Sequence, residues 1–97
     1  MTNYTFLSES ALTAITDGAV DYHVYSMDNG FHVLVEYPNG YAASITKNMF
    51  TSGISDLWEI AILHDDEICR DTPITDDVLP YLNEEMVLVY CEKIRNL

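Results

Sequence analysis

The strongest architectural signal lies in residues 31–45. Phe31, Val33, Val35 and Tyr37 alternate with His32, Leu34 and Glu36, and after Pro38-Asn39-Gly40 the alternation resumes through Tyr41, Ala43 and Ile45. Successive side chains of a strand point to opposite faces, so a period of two is the mark of a ribbon with two unlike faces. Proline followed by Asn-Gly supplies the turn that joins two such runs. The segment therefore predicts an antiparallel hairpin.

The same alternation precedes it. Val20, Tyr22 and Val24 alternate with Asp21, His23 and Tyr25 and run into the turn-rich Met27-Asp28-Asn29-Gly30, which predicts another hairpin sharing the strand at residue 31. Downstream, residues 57–63 read LWEIAIL, an apolar run that predicts a central strand with Trp58, Ile60 and Ile62 on one face and Glu59 and Ala61 on the other. Residues 48–56 hold Ser, Thr and Gly without a sustained period and read as a loop. His64-Asp65-Asp66-Glu67 is a turn-type break before a short edge at Ile68-Cys69-Arg70.

Helical spacing appears at both ends. In residues 8–17, Ala11, Leu12, Ala14 and Ile15 form one stripe behind a Ser8 cap, and Gly18 offers a stop. Thr75 is placed to cap a short helical turn with Asp76 and Asp77 at its positive end, ended by Pro80. Asn83 then caps a longer helix whose first turn holds Glu84 and Glu85, whose apolar stripe is Met86, Val87, Tyr90 and Ile94, and whose last turn carries Lys93 and Arg95. The expected fold is a single α+β domain over residues 1–97: an N-terminal helix, an antiparallel sheet of about four strands in meander order, and C-terminal helices packed on one face.

Composition bears on what such a domain can bind. The chain has 97 residues, 48% of them hydrophobic, enough for one core. Sixteen carboxylates face only four basic side chains, a net charge of -12. Lys47 is the first cation, so Glu9, Asp17, Asp21, Asp28 and Glu36 precede any local cationic partner. A field of that sign repels nucleic acid and anionic membranes and attracts basic proteins. Direct nucleic-acid and membrane partners are accordingly not expected. The N-terminal MTNYTFLSES has neither a basic stretch nor a long apolar run, and no segment reaches membrane-spanning length, so a cytoplasmic location is expected, with Cys69 and Cys91 as reduced, buried thiols.

Motifs that carry chemistry do not emerge. His23 and His32 sit in strands without a third nitrogen or sulfur ligand at motif spacing, and His64 beside Asp65 is a neighbourhood that any turn in an acidic chain produces. The carboxylates at Asp65, Asp66, Glu67 and Asp71 do not follow a calcium-loop order. No nucleophile elbow, phosphate loop, zinc-protease motif or paired-cysteine motif occurs. Neither an enzyme, nor a metal site, nor a cofactor is expected. The expected partner-binding residues are Asp17, Asp21, Asp28, Glu36, Asp65, Asp66 and Glu67, acids that helix capping does not explain. Asp65 and Glu67 also have the i, i+2 spacing, about 6.6 Å along a strand, that a nucleic-acid mimic needs.

Asn39-Gly40-Tyr41, Ala43-Ser44, LWEIAIL and the block DTPITDDVLPYLNEE at residues 71–85 together resemble a family of small tailed-bacteriophage accessory proteins. The likeness spans residues 37–94 and is most specific in DTPITDDV. It does not cover the first thirty residues, and residues 48–56 hold only Gly53 where the family has a glycine-rich loop. The resemblance brings no catalytic residues with it. It implies a phage factor made in a bacterial cytoplasm, of the kind that binds and inhibits a basic, nucleic-acid-binding host protein, as an anti-CRISPR or other anti-defence factor does. The alternative expectation is a structural or regulatory phage protein that forms a small homodimer by strand pairing, its acidity serving solubility alone.

Overall fold

The computed structural model describes residues 6–27, 30–48, 57–75 and 78–97. Its elements run α1 (Glu9–Thr16), β1 (Asp21–Met27), β2 (Gly30–Glu36), β3 (Tyr41–Asn48), β4 (Trp58–His64), β5 (Glu67–Ile68), β6 (Leu79–Leu82) and α2 (Glu84–Arg95). All strand pairings are antiparallel. The order across the sheet is β1-β2-β3-β4, and β5 and β6 both pair with β4. This is the expected α+β meander with helices at its two ends.

Register follows from the alternation. Val33 stands opposite Ile45 and Val35 opposite Ala43, while Ile45 meets Ile60 and Ala43 meets Ile62. These partners share one face of the sheet, and all are buried. Trp58, Ile60 and Ile62 take the buried side of β4 as the sequence predicts. Onto that face α1 delivers Ala11 and Ile15 and α2 delivers Val87, Cys91 and Ile94. Ala14 and Met86 are exposed instead. In α2 the buried line runs at i, i+4 and i+7 from Val87, which turns Met86 about 100° away from it.

The expected helical turn before Pro80 is replaced by strand at its described end. Leu79–Leu82 is β6, with Trp58 paired to Leu82 and Ile60 to Leu79 across an irregular register. The edge of β4 turned away from β3 is thus shared end to end: β5 pairs with Leu63 and His64, β6 with Trp58 and Ile60. Burial of Leu82 beside Trp58 rewards the extended form, and Pro80 is tolerated because an edge strand need not donate from every residue. The proposed Thr75 cap instead lies in a turn closed by Thr72, whose Oγ1 accepts from the backbone of Ile74 and Thr75 at 3.3 Å. Asp76 and Asp77 lie outside the described residues.

Side chains from one element close the ends of another. Ser8 caps α1 through its Oγ, and its own N–H donates to Glu84 Oε1 of α2 at 2.6 Å. Arg95 of α2 donates to the Ala14 and Asp17 carbonyls at 3.2 Å, finishing α1. Asn39, in the turn between β2 and β3, donates from Nδ2 to the Ile94 and Arg95 carbonyls of α2 at 2.9 and 3.1 Å. Its Oδ1 accepts from the Tyr41 N–H at 3.0 Å. The last carbonyls of a helix have no partner within it, so these bonds satisfy groups that would otherwise be orphaned. The Asn-Gly-Tyr and Asn-Glu-Glu parts of the phage-like pattern therefore have structural work.

Lys47 is the surprise of the interior. It continues the inward positions of β3 and is only 3% exposed, with Nζ 4.8 Å from the centre of the Trp58 ring. The electron-rich indole face favours a cation there. Phe6 and Phe31 pack around the same ring.

Candidate partner-binding surface

The meander sends β1 and β3 away from the same end of the sheet at which β2 and β4 arrive. Asp21 opens β1 directly opposite Glu36, which closes β2. One step across, Ala42 of β3 pairs with Leu63 of β4, and the chain then turns through Asp65 and Asp66. Four acids scattered over 46 positions in sequence are gathered at one end of the fold.

Glu36, Asp65 and Asp66 line a single groove there, with a volume of about 280 Å³. Its floor is apolar: Leu34, Ala42 and Leu63 contribute from the side of the sheet opposite the helices, and Val20 lines it from just before β1. A lysine or arginine side chain matches that composition, since its stem can lie on the floor while its head reaches the carboxylate rim. The same rim disfavours an anion through like-charge repulsion.

The acidic turn has unusual backbone geometry. Asp65 and Asp66 have φ of 55° and 67°, the left-handed region expected of a two-residue hairpin turn with positive φ at both central positions. Aspartate tolerates it better than most residues do. Asp65 consequently lies in the turn and not on a strand face, so the strand spacing anticipated between Asp65 and Glu67 for nucleic-acid mimicry is not formed. Glu67 begins β5, opposite His64.

The remaining expected residues divide. Asp21 accepts from the Tyr22 N–H at 2.9 Å through Oδ1, and its Oδ2 lies 3.3 Å from His23 Nε2. Asp17 ends α1 with its carbonyl held by Arg95, which places a cation beside what the sequence presents as a cation-free half. Asp28 lies outside the described residues. His64 Nδ1 is 3.7 Å from Asp65 Oδ2, and the His64 ring stacks on Tyr41 at 4.5 Å.

Both cysteines are free. Cys91 is buried as expected, and burial pushes its thiol up to about 12; Tyr37, its neighbour, is raised for the same reason while its hydroxyl donates to the Ile15 carbonyl at 2.6 Å. Cys69 is only half-buried, and its hydrogen bond to Asp71 at 3.0 Å raises its thiol. Neither is poised as a thiolate nucleophile near neutral pH. Among the described residues no three His, Cys, Asp or Glu side chains are grouped to hold a metal ion, and no described helix is long and apolar enough to cross a membrane.

Comparison with known proteins finds no matching family model, no matching curated protein and no matching solved structure.

What sequence reasoning missed is the apolar half of the surface. Val20, Tyr22, Val24 and Tyr25 are 65%, 47%, 43% and 50% exposed, although the alternation reads their strand as an ordinary half-buried one. The signal was available in the first strand itself, where Tyr22 and Val24 share one face and Tyr25 stands on the other, so that neither face is wholly polar.

Proposed function

We propose that this chain is a binding protein that docks a basic protein surface at the acidic end of its sheet, in the manner of a phage accessory factor that inhibits a nucleic-acid-binding host protein of the defence machinery. The observation that carries the reading is the convergence of Glu36, Asp65 and Asp66 on one groove with an apolar floor. The net charge of -12 supports it by steering a cationic partner over long range and so raising the rate of encounter. The likeness of residues 37–94 to phage accessory proteins supports the context. The plain acidic interface is favoured over nucleic-acid mimicry, because Asp65 and Asp66 lie in a left-handed turn and not along a strand face.

The test compares the wild-type chain with a Glu36→Gln, Asp65→Asn, Asp66→Asn variant, each immobilised and exposed to bacterial lysate at rising salt. Asparagine keeps the left-handed turn accessible, so the variant changes charge with little change of shape. The expected result is one basic nucleic-acid-binding protein, held at low salt, released as salt rises, and absent from the variant column. Equal recovery on both columns sinks the reading.

A further inference from the structure

The two edges of the sheet are finished differently. The β4 side is blunted: β5 and β6 are short, β6 contains Pro80, and Tyr81 within it has a φ of 61° that breaks regular pairing. The β1 side has none of these devices. Asp21–Met27 pairs with β2 without a register shift, contains neither proline nor lysine, and has no described strand on its outer side. An edge of this length and regularity is a template for another strand.

Hydrogen-bond parity identifies which groups it offers. The Tyr37 N–H donates to the Tyr41 carbonyl, so in β2 the odd residues bond to β3 and the even residues turn to β1. Asp21, His23 and Tyr25 are the partners of those even residues. Tyr22, Val24 and Ser26 therefore direct N–H and C=O outward. The Asp21 carboxylate already occupies the Tyr22 N–H, which agrees with that assignment. Beside this row, Tyr22 and Val24 stand exposed on the helix side, opposite Val35 and Val33, and Tyr25 stands exposed on the other.

We propose that the outer edge of β1 takes up an extended cationic segment of the partner as an additional strand. The inference rests on the basic-partner reading above and supplies its binding mode. Charge selects the occupant. A second copy of the chain would bring -12 against -12, whereas a strand with alternating lysine or arginine brings opposite charge. Residues opposite one another share a face, so such a segment lays its apolar side chains along Tyr22 and Val24 and its basic ones along Asp21 and the Tyr25 ring. Val20, just before β1, lines the acidic groove, so the added strand leads directly to Glu36.

The probe is an acetylated, amidated peptide of about ten residues alternating lysine and valine. Controls are the same peptide with glutamate for lysine and a version N-methylated at alternate residues, which keeps charge but removes strand donors. Binding is followed by calorimetry and by amide resonances of the full chain. The expected result is binding of the lysine peptide, slowed exchange of the Val24 and Ser26 amides, and affinity lower by about tenfold or more for the N-methylated peptide and for a Val24→Pro chain. Proline is tolerated at an edge position whose N–H points outward, and the resonances of β2 to β4 report that the variant stays folded. Equal binding by the N-methylated peptide, absence of binding, or shifts confined to the Glu36, Asp65 and Asp66 groove overturns the strand-addition mode. Self-association through β1 that strengthens with salt does so as well, by naming the second copy as occupant. The groove variant tests the basic-partner reading separately, since loss of the lysate partner there with retention by Val24→Pro leaves that reading standing and removes this one.

Discussion

His32 shows how one side chain couples the open face of the sheet to pH. Its Nε2 is 2.9 Å from Ser44 Oγ, its ring stacks on Tyr25 at 5.5 Å, and its burial disfavours the charged ring and lowers its pKa below the ordinary 6.5. A base whose folded pKa is depressed binds fewer protons in the native state than in the unfolded one. Its contribution to stability is intact above the ordinary value and is lost as pH falls below it. His32→Gln keeps a hydrogen-bonding group toward Ser44 and removes the titration. Urea midpoints measured against pH should show the wild type losing stability relative to the variant from about 6.5 downward; parallel profiles would remove His32 from the acid sensitivity of the fold. The Cys91 thiol, by contrast, is silent because it is buried.

At the scale of elements, the hairpins account for themselves. Strand alternation and turn chemistry place β2, β3 and β4 with their inward faces, because the period-two signal is local and strong there. The β6 strand was not legible, since Val78-Leu79-Pro80-Tyr81-Leu82 has no alternation to speak for a strand and Pro80 argues against one; the half-empty edge of β4 decides it. The turn at Asp65 and Asp66 offers a direct measurement. Glycine fits a left-handed position without the steric cost of a Cβ, so Asp66→Gly should stabilise the fold by about 0.5–1 kcal/mol in urea denaturation. On the proposed function it should simultaneously weaken capture of a basic partner by removing one rim carboxylate. Stability and binding thus move in opposite directions at one residue.

For the whole molecule, sixteen carboxylates on 97 residues set a self-repulsion that salt relieves. Thermal unfolding should shift upward by several degrees between roughly 10 and 150 mM salt, since about 1 kcal/mol moves the midpoint of a domain this size by about 4–8 °C. No shift would mean that the surface acids are already balanced locally. The net charge and the positions of the acids made an acidic partner surface the expectation, with Glu36, Asp65 and Asp66 among its candidates. It did not show that they share a groove, because Glu36 and Asp65 are separated by two strands in sequence and meet only through register. Nor did it show Arg95 beside Asp17, a pairing made by packing of the two helices. One further property follows from the buried lysine over the lone tryptophan. The chain carries its own optical gauge: Trp58 sits 2% exposed with an ammonium against its ring, and two strands, β2 and β3, separate its own strand from β1. Emission from that single indole reports the loss of the β4 and β6 seam during unfolding, and it does so from the buried side of β4 and not from the outer edge where a partner strand would add, so one cuvette gives a reading of whether the chain has come apart.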